Sequence, residues 1–520
     1  MFNADVRLRR PWILITCVTL ALAGCTGATQ QAGGEKSAST TLTFGEQQAP
    51  PSLNPGSLDI GFVDFTMLSY EPLFYQKSDG TVAPALAESW KYAGEGNKQL
   101  DVVLRGGVKF SDGDPVDADN VIKSLEYARD AQGNQAHLLA GATFEKTGDL
   151  AFSINLKDPD PMLPTILTQA YGVGQIISPK GLAKPADLTL SNATHGAGPY
   201  VFDPAQSVSG DHYTYTANPS YYDKDKQHYQ KVVIRIIQNQ QAAVNAARTG
   251  QLDVFKGDFS FAAQAKSAGL QIVANPAIMS GLNLIDRGGK VAKPLADVRV
   301  RQAINYAIDR DAVTKALLGE YGVATEQTVV KGGDGYAEAY ANHYAYNPEK
   351  AKQLLAEAGY PNGFELPVLA AVFAGFKDMG EAISGQLAKV GIKLEVDTMT
   401  DLPSYIDNST NQKYPAVVFG YPSYPMYLQG KDLFLPGSKS FNGFGTAVPQ
   451  LDALWAQAAA APDAQRPALD VKIEEYLVEN AWYAPVSYTP VMYFARPTVS
   501  GVATSVGAPF ASPTDWAPKS

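Results

Sequence analysis

The stretch "KQLDVVLRGGVKFSDGDPVDADNVIKSLEYARD", residues 98–130, predicts a strand, a turn and a helix in direct succession. Apolar residues alternate with polar ones up to Leu104, as in a half-buried strand. Ser111–Gly113 then has turn chemistry, and Asp117 is positioned to cap the helix that follows. The apolar residues of the strand and the helix are Leu100, Val102, Leu104, Val121, Leu125 and Ala128. A strand joined to a helix in this way is typical of α/β proteins.

Four closely spaced aspartates of this stretch, at 112, 114, 117 and 119, allow a second interpretation, a calcium-binding loop. An EF-hand counted from Asp112 needs glycine at its sixth position and glutamate at its twelfth. This sequence has Asp117 and Lys123 there. A turn followed by a helix cap accounts for the aspartates better, and we predict no metal site.

The rest of the chain repeats the mixture of strands and helices. Strands are predicted at 41–47, 232–237, the end of 381–398, and 484–496; helices are predicted in 242–250, 297–322, 346–359, the start of 381–398, and 451–479. On the helix of 297–322, the apolar residues share one face. Arg299, Arg301 and Arg310 fall on other faces, so we expect them at the solvated surface.

The stretch "VVFGYPSYPMYLQG", Val417–Gly430, places three tyrosines at intervals of three residues with prolines between them. Proline at this density disfavours a regular helix and removes donors from a central strand, so an irregular segment is expected. Tyr421, Tyr424 and Tyr427 therefore form either a buried corner of a core or an aromatic surface for a ligand.

The first 25 residues predict export. Three arginines precede an apolar run from Trp12 to Ala23, which is well short of the ~20 residues that a membrane-spanning helix needs. The run closes on Leu-Ala-Gly-Cys, which matches a bacterial lipobox. We predict a signal peptide over 1–24, lipidation of Cys25 and a flexible Gly/Ser-rich tether over 25–40. A plain secretory signal, with Cys25 unmodified, is the alternative.

Cysteine and charge counts exclude several functions. The sequence has two cysteines; one leaves with the signal and the other carries lipid, so no disulfide or thiol site is expected. The formal net charge is −10, with no basic cluster, which argues against a nucleic-acid partner. The hydrolase motifs G-x-S-x-G, S-x-x-K and H-E-x-x-H are missing from the sequence. We predict that the protein is not an enzyme and needs no cofactor.

The order of segments resembles the extracellular solute-binding proteins of peptide/nickel-type ABC importers, called cluster C or family 5. The matching passages are 104–128, 196–202, 218–237, 297–310 and 346–366, and the resemblance covers about residues 41–500. It implies an α/β, two-lobed periplasmic-binding-protein type II fold with an inserted subdomain. The implied segments are lobe I at 41–80, 196–285 and 485–520, the inserted subdomain at 81–195, and lobe II at 286–484.

The resemblance also implies a mechanism and partners. A peptide or other small polar solute binds between the lobes of a monomer, which then docks on an ABC permease with separate ATPase subunits. This chain has no phosphate-binding G-x-x-x-x-G-K-[ST] motif of its own. The protein is expected on the outer face of the cytoplasmic membrane, in the cell envelope or periplasmic space, held by its lipid alone.

The same resemblance gives candidate ligand-binding residues. Gly420-Tyr421 stands where peptide-binding members have Gly-Trp, and Ser423 falls where they have an aspartate for the peptide's α-amino group. Serine offers no charge attraction, so blocked or modified peptides, oligosaccharides and other polar ligands stay open. Tyr424, Asn283 and Tyr70 complete the set, although Asn283 fits a satisfied buried amide equally well and Tyr70 a core tyrosine.

Two further alternatives follow from this departure. The fold could serve as an envelope scaffold or regulator that no longer transports a solute. A carrier for metal chelates is the other alternative, although no histidine pair has metal-ligand spacing.

Overall fold

The computed structural model describes residues 40–58, 60–131, 133, 135–188, 195–438 and 441–519. The predicted signal peptide, Cys25 and the predicted tether up to residue 39 lie outside the described residues.

The described residues contain both strands and helices, distributed along the whole range. The strands are β1 (Thr41–Glu46), β2 (Phe74–Gln76), β3 (Val82–Pro84), β4 (Ala87–Tyr92), β5 (Gln99–Leu104), β6 (Thr143–Gly148), β7 (Ala151–Asn155), β8 (Tyr200–Phe202), β9 (His212–Ala217), β10 (Lys231–Ile236), β11 (Val254–Gly257), β12 (Gln271–Asn283), β13 (Val323–Ala324), β14 (Phe364–Ala371), β15 (Ile392–Met399), β16 (Ala416–Pro422), β17 (Tyr483–Ala495), β18 (Val499–Ser500) and β19 (Ala517–Pro518).

The helices include several single turns. They are α1 (Ala118–Asp130), α2 (Leu163–Ile166), α3 (Pro179–Leu182), α4 (Gln240–Arg248), α5 (Ala262–Ser267), α6 (Val298–Tyr306), α7 (Arg310–Leu318), α8 (Pro348–Glu357), α9 (Phe376–Leu387), α10 (Leu402–Thr410), α11 (Met426–Gln429), α12 (Pro449–Ala460) and α13 (Arg466–Glu479).

The opening stretch folds as predicted. Its strand is β5, and Leu100, Val102 and Leu104 are at most 1% exposed. The helix is α1, and the Asp117 side chain accepts a hydrogen bond from the Asn120 backbone N–H at 2.9 Å. The same logic holds at α8, where Asn347 caps the helix and Pro348 occupies its first turn.

One large sheet contains strands from both predicted lobes, which keep here the names given in the sequence analysis. Its strands lie in the order β15, β14, β16, β12, β17, β11, β1, β10, β9 and β8, and β13 pairs with β17. A separate four-stranded sheet, in the order β4, β5, β7 and β6, lies within the predicted inserted subdomain. The mixture of parallel and antiparallel pairs places the chain in the predicted α/β class.

Two 13-residue strands, β12 and β17, pair with each other in the middle of this sheet, between β14–β16 of the predicted lobe II and the strands of the predicted lobe I. Residues 271–276 of β12 pair with 490–495 of β17 beside β11, whereas 278–283 also pair with β16. Pro276 faces Pro490 at the change-over, and the register shifts between Pro276 and Ile278. Neither proline has an N–H group for the ladder, so neither donates a backbone hydrogen bond between β12 and β17 at this point. A second register shift lies between Ser280 and Gly281.

Hydrophobic cores lie on both sides of these crossing strands. Lobe II has one large core, and lobe I packs both faces of its part of the sheet. The inserted subdomain has its own core around β5, α1 and β7. Three residues of lobe II, Tyr427, Leu428 and Ala459, are buried in the core of the inserted subdomain. The lobes are therefore in direct contact.

Two of the predicted helices are interrupted. The segment 297–322 forms α6 and α7, because Asp309 caps a new helix by accepting from the Ala312 backbone N–H. The segment 451–479 divides into α12 and α13 around Pro462, a residue that cannot donate within a helix.

The prediction that Arg301 and Arg310 lie at the surface is wrong. They are only 7% and 8% exposed. Arg310 donates to the carbonyls of Thr325 and Pro485 and to the Asn305 side chain. A guanidinium has five N–H donors. In Arg310 these donors find acceptors inside the lobe, which explains why the side chain lies there. Arg299 remains partly exposed and pairs with Asp297 at 2.6 Å.

Within the described ranges, every helix is too short or too polar to span a lipid bilayer.

Candidate functional site

The tyrosine-rich segment is more regular than predicted. Tyr421 belongs to strand β16, where it pairs with Met279 of β12. Tyr427 lies in the helical turn α11, which Pro425 precedes as the N-cap. Strand β16 ends at Pro422, where proline no longer costs the sheet an internal hydrogen bond. Only Ser423 and Tyr424 remain on the irregular link.

Tyr421 is part of the interior. It is 4% exposed, and its hydroxyl donates to Asp432 Oδ2 at 2.9 Å. Its ring meets those of Tyr424 and Phe441 edge-on, with centroids 5.5 and 5.7 Å apart. Burial and the nearby carboxylate raise the pKa of Tyr421 well above its ordinary value, so the hydroxyl stays protonated as a donor. Tyr421 is therefore held inside the protein, in contact with Tyr424.

Tyr424 lies where lobe II meets the inserted subdomain. It is partly buried and packs against the cores of both lobe II and the inserted subdomain. Its ring centroid lies 6.3 Å from that of Tyr171 in the inserted subdomain. Its backbone carbonyl accepts from Gln429 Nε2 at 2.9 Å, which fixes the link to α11.

Tyr427 contacts both lobe II and the inserted subdomain. Its ring stacks on Trp455 at 5.0 Å between centroids, and its hydroxyl donates to the Pro159 carbonyl at 2.8 Å. Asn97 adds a second link, since its side chain donates to the carbonyls of Ala459 and Ala461. These contacts join lobe II directly to the inserted subdomain.

Charged side chains also face each other across this contact. Lys431 Nζ lies 3.9 Å from Asp160, and His137 Nε2 lies 3.9 Å from Asp432. Burial raises the pKa of Asp160 to about 6 and raises that of Asp432 as well. The contact between lobe II and the inserted subdomain therefore contains two carboxylates, Asp160 and Asp432, that hold a proton more readily than an exposed carboxylate does.

Two adjoining cavities have walls from several segments that are far apart in the sequence. The larger, of about 480 Å³, has residues of both the inserted subdomain and lobe II in its walls. The smaller, of about 320 Å³, is lined by Ser423 and Tyr424 together with residues near Gly80, Asp334 and Gly507. Gly80, Asp334, Pro425 and Gly507 belong to both cavities. Volumes in this range suit a small solute.

The other sequence-predicted residues lie elsewhere. Asn283 is 1% exposed and donates to the Phe441 carbonyl at 2.8 Å. Tyr70 is 4% exposed and packs with Ile177 and Leu188. Neither residue lines the two cavities.

Sequence reasoning missed several residues in the wall of the larger cavity. They are Trp90, Tyr92, Asp334, Asp463, Arg466 and Asp470. The sequence itself could have pointed to Asp470, because it lies three and seven residues before the apolar Ile473 and Leu477, on the same face of a helix. The structure buries all three side chains. A carboxylate at a core position of a helix is unusual and marks either a partner or a function.

One serine, histidine and aspartate come together in the inserted subdomain. Ser178 Oγ donates to Asp112 Oδ2, and His195 Nδ1 lies 3.2 Å from the same carboxylate oxygen. The aspartate thus stands between the other two, so the histidine is not placed to take the serine proton. Ser178 is fully buried and caps α3. This group is structural.

No group of three or more histidine, cysteine, aspartate or glutamate side chains in the described part of the chain is arranged to hold a metal ion.

Comparison with known proteins identifies the family. The sequence profile of the "bacterial extracellular solute-binding proteins, family 5 Middle" matches residues 81–436. Heme-binding protein A of Haemophilus influenzae is 27% identical over 451 residues, which are 79% of this chain and 80% of that protein. The glutathione-binding protein GsiB of Salmonella paratyphi A is 29% identical over 345 residues, 64% of either chain.

A solved structure confirms the fold. HbpA2 from Haemophilus parasuis superimposes with a TM-score of 0.80 at 24% identity, covering 92% of this chain and all of that one. The two-lobed type II fold with an extra subdomain, predicted from the resemblance, is thereby confirmed. The chain belongs to the bacterial extracellular solute-binding proteins of family 5.

Proposed function

We propose that this protein binds a peptide or peptide-like solute between its lobes and delivers it to an ABC permease. The observation that carries the proposal is the pair of adjoining cavities, whose walls come from the inserted subdomain, lobe I and lobe II together. A relative named for glutathione, itself a tripeptide, supports the peptide-like class.

The mechanism is a shift between open and closed arrangements of the lobes. A solute favours closure only if it binds the closed arrangement better, so it must contact both sides of the cleft. Moving the equilibrium from 1:99 to 99:1 takes about 5.5 kcal/mol of such preference. The change-over of β12 and β17 at Pro276 and Pro490 is where we place the hinge.

Within the cleft, we assign direct contact with the solute to Tyr424 and Ser423. Tyr424 offers a ring face and Ser423 a hydroxyl at the wall of the smaller cavity. Tyr421 holds the neighbouring ring and binds Asp432. Asn283 and Tyr70 stay predictions, and their buried positions favour support of the lobes over contact with solute.

We further propose that the protein works as a monomer held at the outer face of the cytoplasmic membrane by lipid on Cys25. A lipoprotein cysteine carries more than one acyl chain, which is what stable anchoring needs. The anchored protein would meet its permease by diffusion along the membrane, and the permease's ATPase subunits would supply the energy.

Mass spectrometry of small molecules that co-purify with the protein tests the proposal, followed by calorimetric titration with each molecule found. Glutathione and hemin serve as reference probes, because relatives are named for them. We expect peptide-like molecules that bind in a 1:1 ratio. Binding of hemin alone would contradict the peptide class, and binding of no solute would favour the scaffold alternative.

A further inference from the structure

The larger cavity has two unlike walls. On the side of the inserted subdomain, Trp90, Tyr92 and Met162 present rings and an apolar side chain. On the side of lobe II, the wall contains three carboxylates and one guanidinium, which belong to Asp334, Asp463, Asp470 and Arg466, together with Pro425 and Tyr427. Lys91, at the exposed rim, brings a second positive charge. The negative charges are still in excess.

Asp470 is the unusual member of this wall. The residue is 3% exposed, and its Oδ1 has no hydrogen-bond partner among the described residues. Buried carboxylates are normally paired or hydrogen-bonded, because an isolated one is expensive. The packing of α13 keeps Asp470 inside, since Ile473 and Leu477 of the same stripe are buried in the core of lobe II.

The cation next to Asp470 is already engaged. Arg466 Nη1 lies 2.7 Å from Asp463 Oδ1, and this pair forms across one turn of the chain at the start of α13. Asp334 contributes a like charge near Asp470. The wall of this cavity therefore combines the carboxylate of Asp470, a second carboxylate near it and aromatic rings.

We propose that this cavity is a subsite for a positively charged group of the solute, an ammonium or a guanidinium, with Asp470 as its principal acceptor. An ammonium has three donors and no acceptor, so it can satisfy Asp470 and approach Asp334 together. The rings of Trp90 and Tyr92 suit the aliphatic stem or the charge of a lysine-like or arginine-like side chain. The inference rests on the proposed function and narrows its solutes to cationic peptides or amines.

The burial of Asp470 supports this assignment. Burial raises the pKa of Asp470 to about 7 despite the opposing effect of Arg466. A cation that enters the cavity would favour the ionised carboxylate, so the free energy that burial costs the empty protein is partly recovered on binding.

A peptide library tests the inference. The purified protein is mixed with synthetic peptides of two to six residues, in which lysine and its neutral isostere norleucine are equally frequent at every position. Bound peptides are recovered and identified by mass spectrometry. We expect lysine to be enriched over norleucine about tenfold at one position, as a charge-assisted hydrogen bond provides. Asp470→Asn should bring the ratio close to one without abolishing peptide binding.

Two further variants complete the design. Asp452→Asn is the matched control, because Asp452 of α12 also has an unpartnered Oδ1 but does not line the cavity; it should keep the lysine preference. Asp334→Asn changes an exposed residue, so it tests the same wall if Asp470→Asn fails to fold, and it should reduce the preference in part.

Each outcome has one meaning. Bound peptides without a lysine preference, or a preference that survives Asp470→Asn or, if that variant does not fold, Asp334→Asn, would overturn the inference and leave the proposed function standing. Retention of no peptide by the unaltered protein would overturn both.

Discussion

Tyr421 and Tyr424 are neighbours whose removal should have different consequences. Tyr421 is inside lobe II and hydrogen-bonded to Asp432, whereas Tyr424 lies on the wall of the smaller cavity. Truncating a buried aromatic side chain typically costs about 3–5 kcal/mol. We therefore expect Tyr421→Ala to lower stability strongly, which makes it unsuitable as a test of binding.

Tyr424→Ala is the better test of the binding surface. We expect it to weaken solute binding about tenfold or more, because a ring contact and its exclusion of water are lost. Calorimetric titration with the co-purified solute measures this change. Tyr346→Ala, at a tyrosine that is 40% exposed and outside both cavities, is the control. Equal binding by the two variants would count against Tyr424 as a contact residue.

Asp470 predicts a dependence of stability on pH. Its pKa is about 7 in the folded chain and about 3.9 when unfolded, so the folded chain holds the proton more tightly. The stability that this proton provides is complete below about pH 4 and is lost as the pH rises through about 7. Asp470→Asn removes the dependence.

The test compares the free energy of unfolding of Asp470→Asn with that of the unaltered protein at two pH values. The free energy of unfolding of Asp470→Asn minus that of the unaltered protein should be about 3 kcal/mol larger at pH 8 than at pH 4.5. Urea denaturation of both proteins at both pH values measures the difference. A pH-independent difference would mean that Asp470 is not the titrating group.

Among the elements, α11 and α12 carry the contact between lobe II and the inserted subdomain. Trp455 packs so closely on Gly430 that a Cβ added there would lie 2.0 Å from the indole Nε1. The same nitrogen donates to the Tyr427 carbonyl at 3.1 Å. We expect Gly430→Ala to displace Trp455 and to destabilise the protein by about 1–3 kcal/mol.

Thermal and urea denaturation check this prediction. Gly385→Ala is the matched control, because a Cβ at Gly385 of α9 meets nothing within 4 Å. Alanine in a helix should there stabilise by up to about 1 kcal/mol. Similar effects of the two substitutions would show that the packing of Trp455 on Gly430 is not important.

Elements with local signals were predictable from the sequence. β5, α1 and α8 follow from alternation, a capping aspartate or asparagine, and proline in a first turn. The burial of Arg301 and Arg310 was not predictable, since the carbonyls they satisfy come from distant segments such as Pro485 and Asn480. Tertiary partners of this kind leave no periodic pattern.

Only the part of the candidate site that comes from the tyrosine-rich segment 417–430 could be predicted from the sequence. Ser423 and Tyr424 were predicted from the family resemblance, and both line the smaller cavity, whereas Tyr427 of the same stretch lines the larger one. The opposite wall, with Trp90 and Tyr92, comes from a segment more than 300 residues away along the sequence. Patterns within one segment cannot show that two such distant segments lie together. The position of Asp470 on the apolar face of a helix did indicate that this carboxylate is unusual.

For the molecule as a whole, the attachment to the membrane that we propose depends on one residue, Cys25. We expect Cys25→Ser to release the protein into the soluble fraction of cells and to prevent its labelling with a radioactive fatty acid. A lipoprotein needs its modified cysteine for stable anchoring. The control is Cys17→Ser, inside the predicted signal peptide, which should stay membrane-bound. A Cys25→Ser variant that remains on the membrane would contradict the lipid anchor.

The central claim is that a solute holds the two lobes together across a hinge at β12 and β17. Small-angle X-ray scattering of the purified protein, first stripped of solute by mild denaturation and refolding and then resupplied with the co-purified solute, tests this directly. We predict a larger radius of gyration without solute and a contraction when solute is added, in proportion to the sites occupied. A radius of gyration that is the same with and without bound solute would contradict the account.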